Sequence, residues 1–279
     1  MRALHIARVL RGATGLLIIG AAGLAAADDA ADIQALNAAL DAQDYANAYR
    51  LAQPLAKQGN PASQYDLALM YYTGQGTAQN YGDALTWFLK AAEQGSPQAQ
   101  FNVGFMYANA QGVAQDYGEA VKWYRQAANQ GDAAAEYNLG LMYESGLGVP
   151  QDYAAALDWY RKAAEGGSIA AQASIGLLYN KGRGVAQDFG AAAKWYRLAA
   201  DRGDPKAQFN LGVLCYNGQG VPRNLIEAHL WFSLAAAQSA DPKAAENREL
   251  VASRMNPAEI AEAEKRRREW LASGNAARR

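Results

Sequence analysis

The sequence predicts an all-α fold, a right-handed α-solenoid of antiparallel helix pairs, and three observations predict it. Tryptophan recurs at Trp87, Trp123, Trp159, Trp195 and Trp231, each 36 positions after the last, and Ala84, Ala120, Ala156, Ala192 and Ala228 keep the same step without insertion. A fixed period of this length marks units that bury their apolar faces only by stacking. Within each period the apolar residues return at helical spacing on two separate stretches, and a side-chain cap opens each of them. The organisation expected is 1–27 a leader, 28–59 an N-terminal capping pair, five repeats at 60–95, 96–131, 132–167, 168–203 and 204–239, a C-terminal capping pair at 240–272, and a tail at 273–279.

Arg2, Arg8 and Arg11 precede an apolar run from Ala13 to Leu24, and Ala25-Ala26-Ala27 offers small residues for cleavage before Asp28 and Asp29. Residues 1–27 therefore read as a secretory signal peptide. The run is short for a spanning helix, so contact with a membrane is expected only before cleavage. Its alanine-rich composition has a bacterial style, which makes the periplasm the expected address. No cysteine follows the cleavage point, so a lipid anchor on that residue is excluded. Without the leader, 23 basic side chains stand against 27 acidic ones. That balance argues against a nucleic-acid binder, whose contact face is strongly basic.

Asp44 to Gly59 aligns with the second helix of the repeats through Tyr45, Ala48, Ala56 and Gly59, but Leu51 stands in the tryptophan place and Pro54 falls inside the helix. Proline there removes a hydrogen bond and is expected to bend the helix. With Asp32 to Leu40 as a preceding helix, the segment reads as a degenerate terminal unit.

Each repeat opens on Asn60, Ser96, Asp132, Ser168 or Asp204, with proline next in three copies (Pro61, Pro97, Pro205). That is an N-cap followed by the residue best suited to N1. Helix A then runs on a face such as Ala135, Leu139 and Tyr143, with Gly140 expected to admit another backbone, and stops at a glycine pair such as Gly146 and Gly148. The second repeat has Ala110 in place of the first glycine, so its turn is expected to differ slightly. Val113, Val149, Val185 and Val221, with Thr77 in the first copy, follow as anchors of the turn. Helix B is capped by Asn80, Asp116, Asp152, Asp188 or Asn224, and Glu119 and Glu227 stand where a capping box requires glutamate. Its face, Ala156, Trp159, Tyr160, Ala163 and Ala164, sets small alanines against a large indole as hole and knob. A glycine ends it at Gly95, Gly131, Gly167 and Gly203.

Beyond Ser239 the period is lost. One helix is expected from Asp241-Pro242 to about Met255, and Asn256-Pro257-Ala258-Glu259 opens a second, whose Ile260, Ala263, Trp270 and Leu271 are expected to close the array. Lys265-Arg266-Arg267-Arg268 is read as a solvated face paired through Glu262 to Arg266 and Glu264 to Arg268.

The pattern from Ala135 to Gly167, Ala-x-x-x-Leu-Gly-x-x-Tyr-x-x-Gly-x-Gly-Val-x-x-Asp-Tyr-x-x-Ala-x-x-Trp-Tyr-x-x-Ala-Ala-x-x-Gly, resembles the Sel1-like repeat, a relative of the tetratricopeptide class. The resemblance covers residues 60–239. Its departures fall in the fifth copy, where Cys215, His229 and Ser239 replace tyrosine, an aliphatic residue and glycine. The resemblance implies an adaptor that binds a protein or peptide, expected as a monomer, with no catalytic residue, cofactor or metal to carry over.

The residues with chemical potential agree with that implication. No serine has a lysine three positions on, His229 is the one histidine beyond the leader, and the lone Cys215 has no partner for a disulfide. In tetratricopeptide-like arrays one side of helix A lines a concave groove. Here that side carries Tyr65 and Leu69, Phe101 and Phe105, Tyr137 and Leu141, Ala173 and Leu177, Phe209 and Val213, with polar companions Asp66, Asn102, Asn138, Ser174 and Asn210. Such a row is suited to an extended peptide or an amphipathic helix. The competing expectation is that the rings pack on the next repeat. The function expected is an exported adaptor in the bacterial envelope, serving a signalling or secretion system. A cell-wall hydrolase, a penicillin-interacting protein and a surface protein binding a host factor are the alternatives.

Overall fold

The computed structural model describes residues 23–238 and 242–274. Residues 1–22 of the expected leader, residues 239–241, which include Ser239 and Asp241, and residues 275–279 lie outside the described residues. Among the described residues there are 14 helices and no strand. They fall into two compact units, one ending at Gln79 and the other beginning at Asn80.

The first unit contains α1 (Gly23–Asp41), α2 (Tyr45–Lys57) and α3 (Pro61–Thr73), with α1 packed on α2 and α2 on α3. α1 begins nine residues before the expected Asp32, along an alanine-rich stretch with no helix breaker. α2 runs through Pro54 to Lys57, and buries Ala48, Ala52, Leu55 and Ala56. Gly76, at φ +75°, lies where any Cβ would strike the Tyr45 carbonyl, so the turn after α3 rests directly on the start of α2.

The second unit contains α4 (Tyr81–Glu93), α5 (Pro97–Ala108), α6 (Tyr117–Ala128), α7 (Ala133–Ser145), α8 (Tyr153–Glu165), α9 (Ile169–Lys181), α10 (Phe189–Asp201), α11 (Pro205–Asn217), α12 (Leu225–Ala236), α13 (Lys243–Ala252) and α14 (Pro257–Ala272). Each helix packs on the next up to α13, and α14 packs on α12. In the second, third and fourth repeats helix B is thus gripped by its own helix A and by that of the following repeat.

The caps form as the sequence predicts. Asn60, Ser96, Asp132, Ser168 and Asp204 accept from the N–H three residues on at 2.7 to 3.3 Å. Asp116, Asp152, Asp188 and Asn224 do the same for helix B. The capping boxes expected at Glu119 and Glu227 do not form. The N–H groups that these glutamates would have met already donate to carbonyls of helix A, Asp116 to Tyr107 at 3.1 Å and Asn224 to Cys215 at 2.9 Å. Glu119 turns to Lys122 instead, and Glu227 to Arg197 and Trp231. Asn256 and Glu259 do close a reciprocal box at the start of α14.

Two expectations about packing are corrected. The glycine of helix A admits a ring first: a Cβ at Gly104, Gly140, Gly176 or Gly212 would fall within 3 Å of Tyr124, Tyr160, Tyr196 or Phe232, and only at Gly104 is a backbone atom, the Ala120 carbonyl oxygen at 3.1 Å, among the nearest contacts. Those rings are the deep knobs, all at 2 % exposure or less, whereas Trp87, Trp123, Trp159 and Trp195 are half-buried and only Trp231 is enclosed. An indole is wide, and Trp159 and Trp195 have no carboxylate one turn back to take the indole N–H inward, while the carboxylates one turn before Trp87 and Trp123, Asp83 and Glu119, are held by Asn80 and Lys122. Lys90 and Lys162 lie over the Trp87 and Trp159 rings at 4.0 and 4.2 Å. The alanines behave as the period demands: Ala84, Ala120, Ala156, Ala192 and Ala228 are at 0 % exposure.

The turn of the second repeat keeps its shape. Ala110 takes φ +55° where its counterparts are glycines, a conformation an L-residue adopts at a cost of about 1 kcal/mol. At the C-terminal end α13 stops at Ala252, ahead of Met255. α14 buries Ala263 and Trp270, but Leu271 points outward at 44 % exposure, one residue off the packed stripe. Glu262 holds Arg266 at 2.8 Å as expected, while Glu264 takes Arg267 at 2.9 Å rather than Arg268.

Candidate protein-binding surface

The residues singled out on helix A lie on the packed rings with one edge in solvent. In the second unit Phe101, Phe105, Tyr137, Leu141, Ala173, Leu177, Phe209 and Val213 are all half-buried. Phe101 stands 5.8 Å from the Tyr124 ring, Tyr137 5.6 Å from Tyr160, and Phe209 5.6 Å from Phe232. Phe101 and Phe105 are 6.2 Å apart along their own helix. Phe101, Tyr137 and Phe209 are therefore each backed by a buried ring and held at a fixed tilt. In the first unit Tyr65, Asp66 and Leu69 are likewise half-buried on α3. Of the polar companions, Asn102 is buried and Asn138, Ser174 and Asn210 are half-buried. The Asn102 and Asn138 amides donate to the carbonyls of Gln98 and Ala134, one turn back, at 2.9 and 2.8 Å.

Two ladders that recur at the same 36-residue step were not read from the sequence. The first joins repeats: Arg125 donates to the Tyr143 hydroxyl at 2.5 Å and Arg161 to Tyr179 at 3.0 Å, helix B reaching the next helix A. At the third step Cys215 replaces the tyrosine, and Arg197 turns to Glu227 at 3.0 Å and stacks over the Trp231 ring at 5.2 Å. The second is a buried amide. Gln64, Gln100 and Gln208 donate to the carbonyls of Ala56, Ala92 and Ala200, each at 3.1 Å. Glu136 occupies that place in the third repeat at 7 % exposure. Burial pushes its carboxyl above the usual range, Lys162 pulls it part of the way back, and Asp132 and Glu165 add to the rise. The recurrence of charged and amide residues at one period was the available signal for both ladders.

The groups with chemical potential are enclosed and unassembled. Burial first, and Glu227 second, push the Cys215 thiol up to about 11, which keeps it protonated and unreactive. His229 is at 4 % exposure with Nδ1 3.5 Å from the Ser233 hydroxyl, and burial lowers its pKa. Among the described residues no group of three or more His, Cys, Asp and Glu is placed to hold a metal ion, and no helix is long and apolar enough to cross a membrane.

The family model of the Sel1 repeat matches at residues 61–96, 97–132, 133–168, 169–204 and 205–239. The chain belongs to the Sel1 repeat family. A Sel1 repeat protein from Oxalobacter formigenes, known from its crystal structure, is 37 % identical with a TM-score of 0.70, over 74 % of this chain and 85 % of that one. A protective antigen present in uropathogenic Escherichia coli strains, displaying the same repeat fold, is 29 % identical with a TM-score of 0.56 over 82 % of this chain, which spans 56 % of that one. Among curated proteins none matches the chain. The fold class is thus the all-α solenoid of paired antiparallel helices. Sel1 repeat proteins as a group mediate protein–protein interaction on a scaffold that is typically non-enzymatic.

Proposed function

We propose that this chain is an exported, non-catalytic adaptor of the bacterial cell envelope that holds a polypeptide on the helix A row of its second unit. The row Phe101, Phe105, Tyr137, Leu141 and Phe209 carries this reading, because its side chains are half-buried with part of their surface in solvent and three of its rings, Phe101, Tyr137 and Phe209, are each fixed from behind by a buried ring. Anchors held in place lose little conformational freedom when a partner arrives, and truncating such a ring costs about 2 kcal/mol or more of binding. Export is supported by Arg2, Arg8 and Arg11 before the apolar run and by the small residues that end it.

The test is affinity capture from an envelope fraction with the parent and with Phe101→Ala plus Tyr137→Ala, both checked by thermal melting. The double variant is expected to melt close to the parent and to lose a specific partner at least tenfold. Equal recovery of that partner by both proteins refutes the row as the binding face. Cell fractionation with a C-terminal tag tests export, and a purely cytoplasmic full-length product refutes it.

A further inference from the structure

The C-terminal end of the row opens into a notch that the repeat pattern does not require. Val213, Tyr216 and Asn217 of α11, Phe232 of α12, and Asn247, Leu250 and Val251 of α13 line an open cavity of about 200 Å³. Leu250 stands at its rim 44 % exposed, which is unusual for a large aliphatic side chain in this molecule. Arg254 follows in the turn two residues after the end of α13. Its guanidinium lies 5.3 Å from the centre of the Tyr216 ring, and that of Arg223 lies 5.8 Å from the same ring. Arg223 spends its Nε–H on the Tyr216 carbonyl at 3.1 Å. Among the described residues no carboxylate pairs with either arginine, and the lining has two carboxamides and no acid.

An apolar hollow for one side chain therefore adjoins two uncompensated guanidinium groups across a single aromatic residue. We propose that the notch receives the C-terminal residue of a partner polypeptide. Its aliphatic or aromatic side chain lies on Val213, Phe232, Leu250 and Val251, and its free α-carboxylate meets Arg223 and Arg254. Side chain and carboxylate leave one Cα in a terminal residue, so they reach adjoining sites together. In an extended chain an acidic residue beside an apolar one points to the opposite face and does not. The planar guanidinium forks match a carboxylate, and the Asn217 and Asn247 carboxamides are the polar groups of the lining. The inference shares with the adaptor reading only the assumption of a polypeptide partner.

The test uses the full chain and N-terminally labelled decapeptides of Gly and Ser that end in Leu, Phe, Val, Gly or Asp, each as free acid and as amide, followed by fluorescence anisotropy. The Leu or Phe acid is expected to saturate. Amidation, a terminal Gly, or the double variant Arg223→Ala plus Arg254→Ala is expected to weaken binding at least tenfold, which is about 1.4 kcal/mol. Phe101→Ala plus Tyr137→Ala is expected to leave it unchanged. Equal binding of acid and amide, parent-like binding by the arginine variant, or no saturation by any peptide up to about 1 mM overturns the proposal. If it is overturned while the ring variant still loses its partner, the notch fails and the row stands. The reverse pair of results removes the row and keeps the notch.

Discussion

Gly146 and Gly148 offer a measurement of what holds one repeat against the next. They sit two residues apart in one turn with nearly equal φ, +69° and +71°. A methyl group added at either meets the same left-handed strain, about 1–2 kcal/mol, less about 0.4–1 kcal/mol that alanine recovers by stiffening the unfolded chain. At Gly146 the nearest neighbours are the Cβ and backbone nitrogen of Gln151 at 3.3 and 3.4 Å, in the same turn, which must give by only a few tenths of an ångström. Gly146→Ala should therefore destabilise by about 1 kcal/mol. At Gly148 the new Cβ would overlap the Tyr117 carbonyl and lie 2.8 Å from the Gly118 nitrogen, the start of α6 in the preceding repeat. Helix backbone does not yield, and overpacking of this kind adds about 1–3 kcal/mol, so Gly148→Ala should cost about 2–4 kcal/mol. Urea unfolding gives the total, and hydrogen exchange locates it, with protection lost across α6 and α7 for Gly148→Ala and only near the turn for Gly146→Ala. Costs equal within about 0.5 kcal/mol, or unchanged exchange in α6, would refute the claim that the second glycine sets the contact between repeats. Gly184→Ala should repeat the Gly148 result, since its Cβ meets Tyr153 and the Ala154 nitrogen in the same way.

Glu136→Gln should stabilise the protein by about 1 kcal/mol at pH 7, because an amide there can donate to the Ala128 carbonyl as Gln100 does to Ala92. A carboxyl whose folded pKa is raised costs stability above that pKa and nothing below its unfolded value, so the gain should fade as pH drops toward about 4; a gain that is flat with pH in urea titrations would contradict the burial argument. Glu227→Ala should free the indole N–H of Trp231 and the guanidinium groups of Arg197 and Arg266, now at 3.0, 3.0 and 3.5 Å from its carboxylate, and cost about 1–3 kcal/mol. Hydrogen exchange should rise in α14 more than in α8, and equal change in both would deny Glu227 a role at the end of the array.

Helix boundaries, caps and the alanine stripe were legible because each follows from a local rule repeated five times over. Asp132 before Ala133 is a cap whatever surrounds it. The capping boxes at Glu119 and Glu227 failed for a reason that no local rule contains: the N–H groups of Asp116 and Asn224 were already taken by carbonyls of Tyr107 and Cys215. The rank of the aromatics failed similarly. Trp159 and Tyr160 are adjacent, and only the position of Gly140 on another helix decides which ring goes deepest. Of the proposed binding face, the helix A row could be marked from periodicity, while the notch beyond Val213 could not. It depends on where α13 settles once the period has ended, and the sequence after Ser239 carries no repeat to place it.

One substitution organises that end. Arg125 and Arg161 each reach forward to a tyrosine hydroxyl on the next repeat, so an unchanged fifth copy would present one more hydroxyl to Arg197. Cys215 withdraws that acceptor, and Arg197 moves to Glu227, which also takes the Trp231 N–H and draws Arg266 of α14 toward the same carboxylate. The tryptophan that is half-exposed in the other copies is then sealed at 2 % exposure. A solenoid must stop its own stacking, because an open final face would recruit another copy. Here the residues that break the pattern do this by converting a forward link into a closed polar cluster under a capping helix. That cluster holds α14 on α12, while α13 packs against α12 over the notch, so the departures that look like decay in the fifth repeat build the terminus.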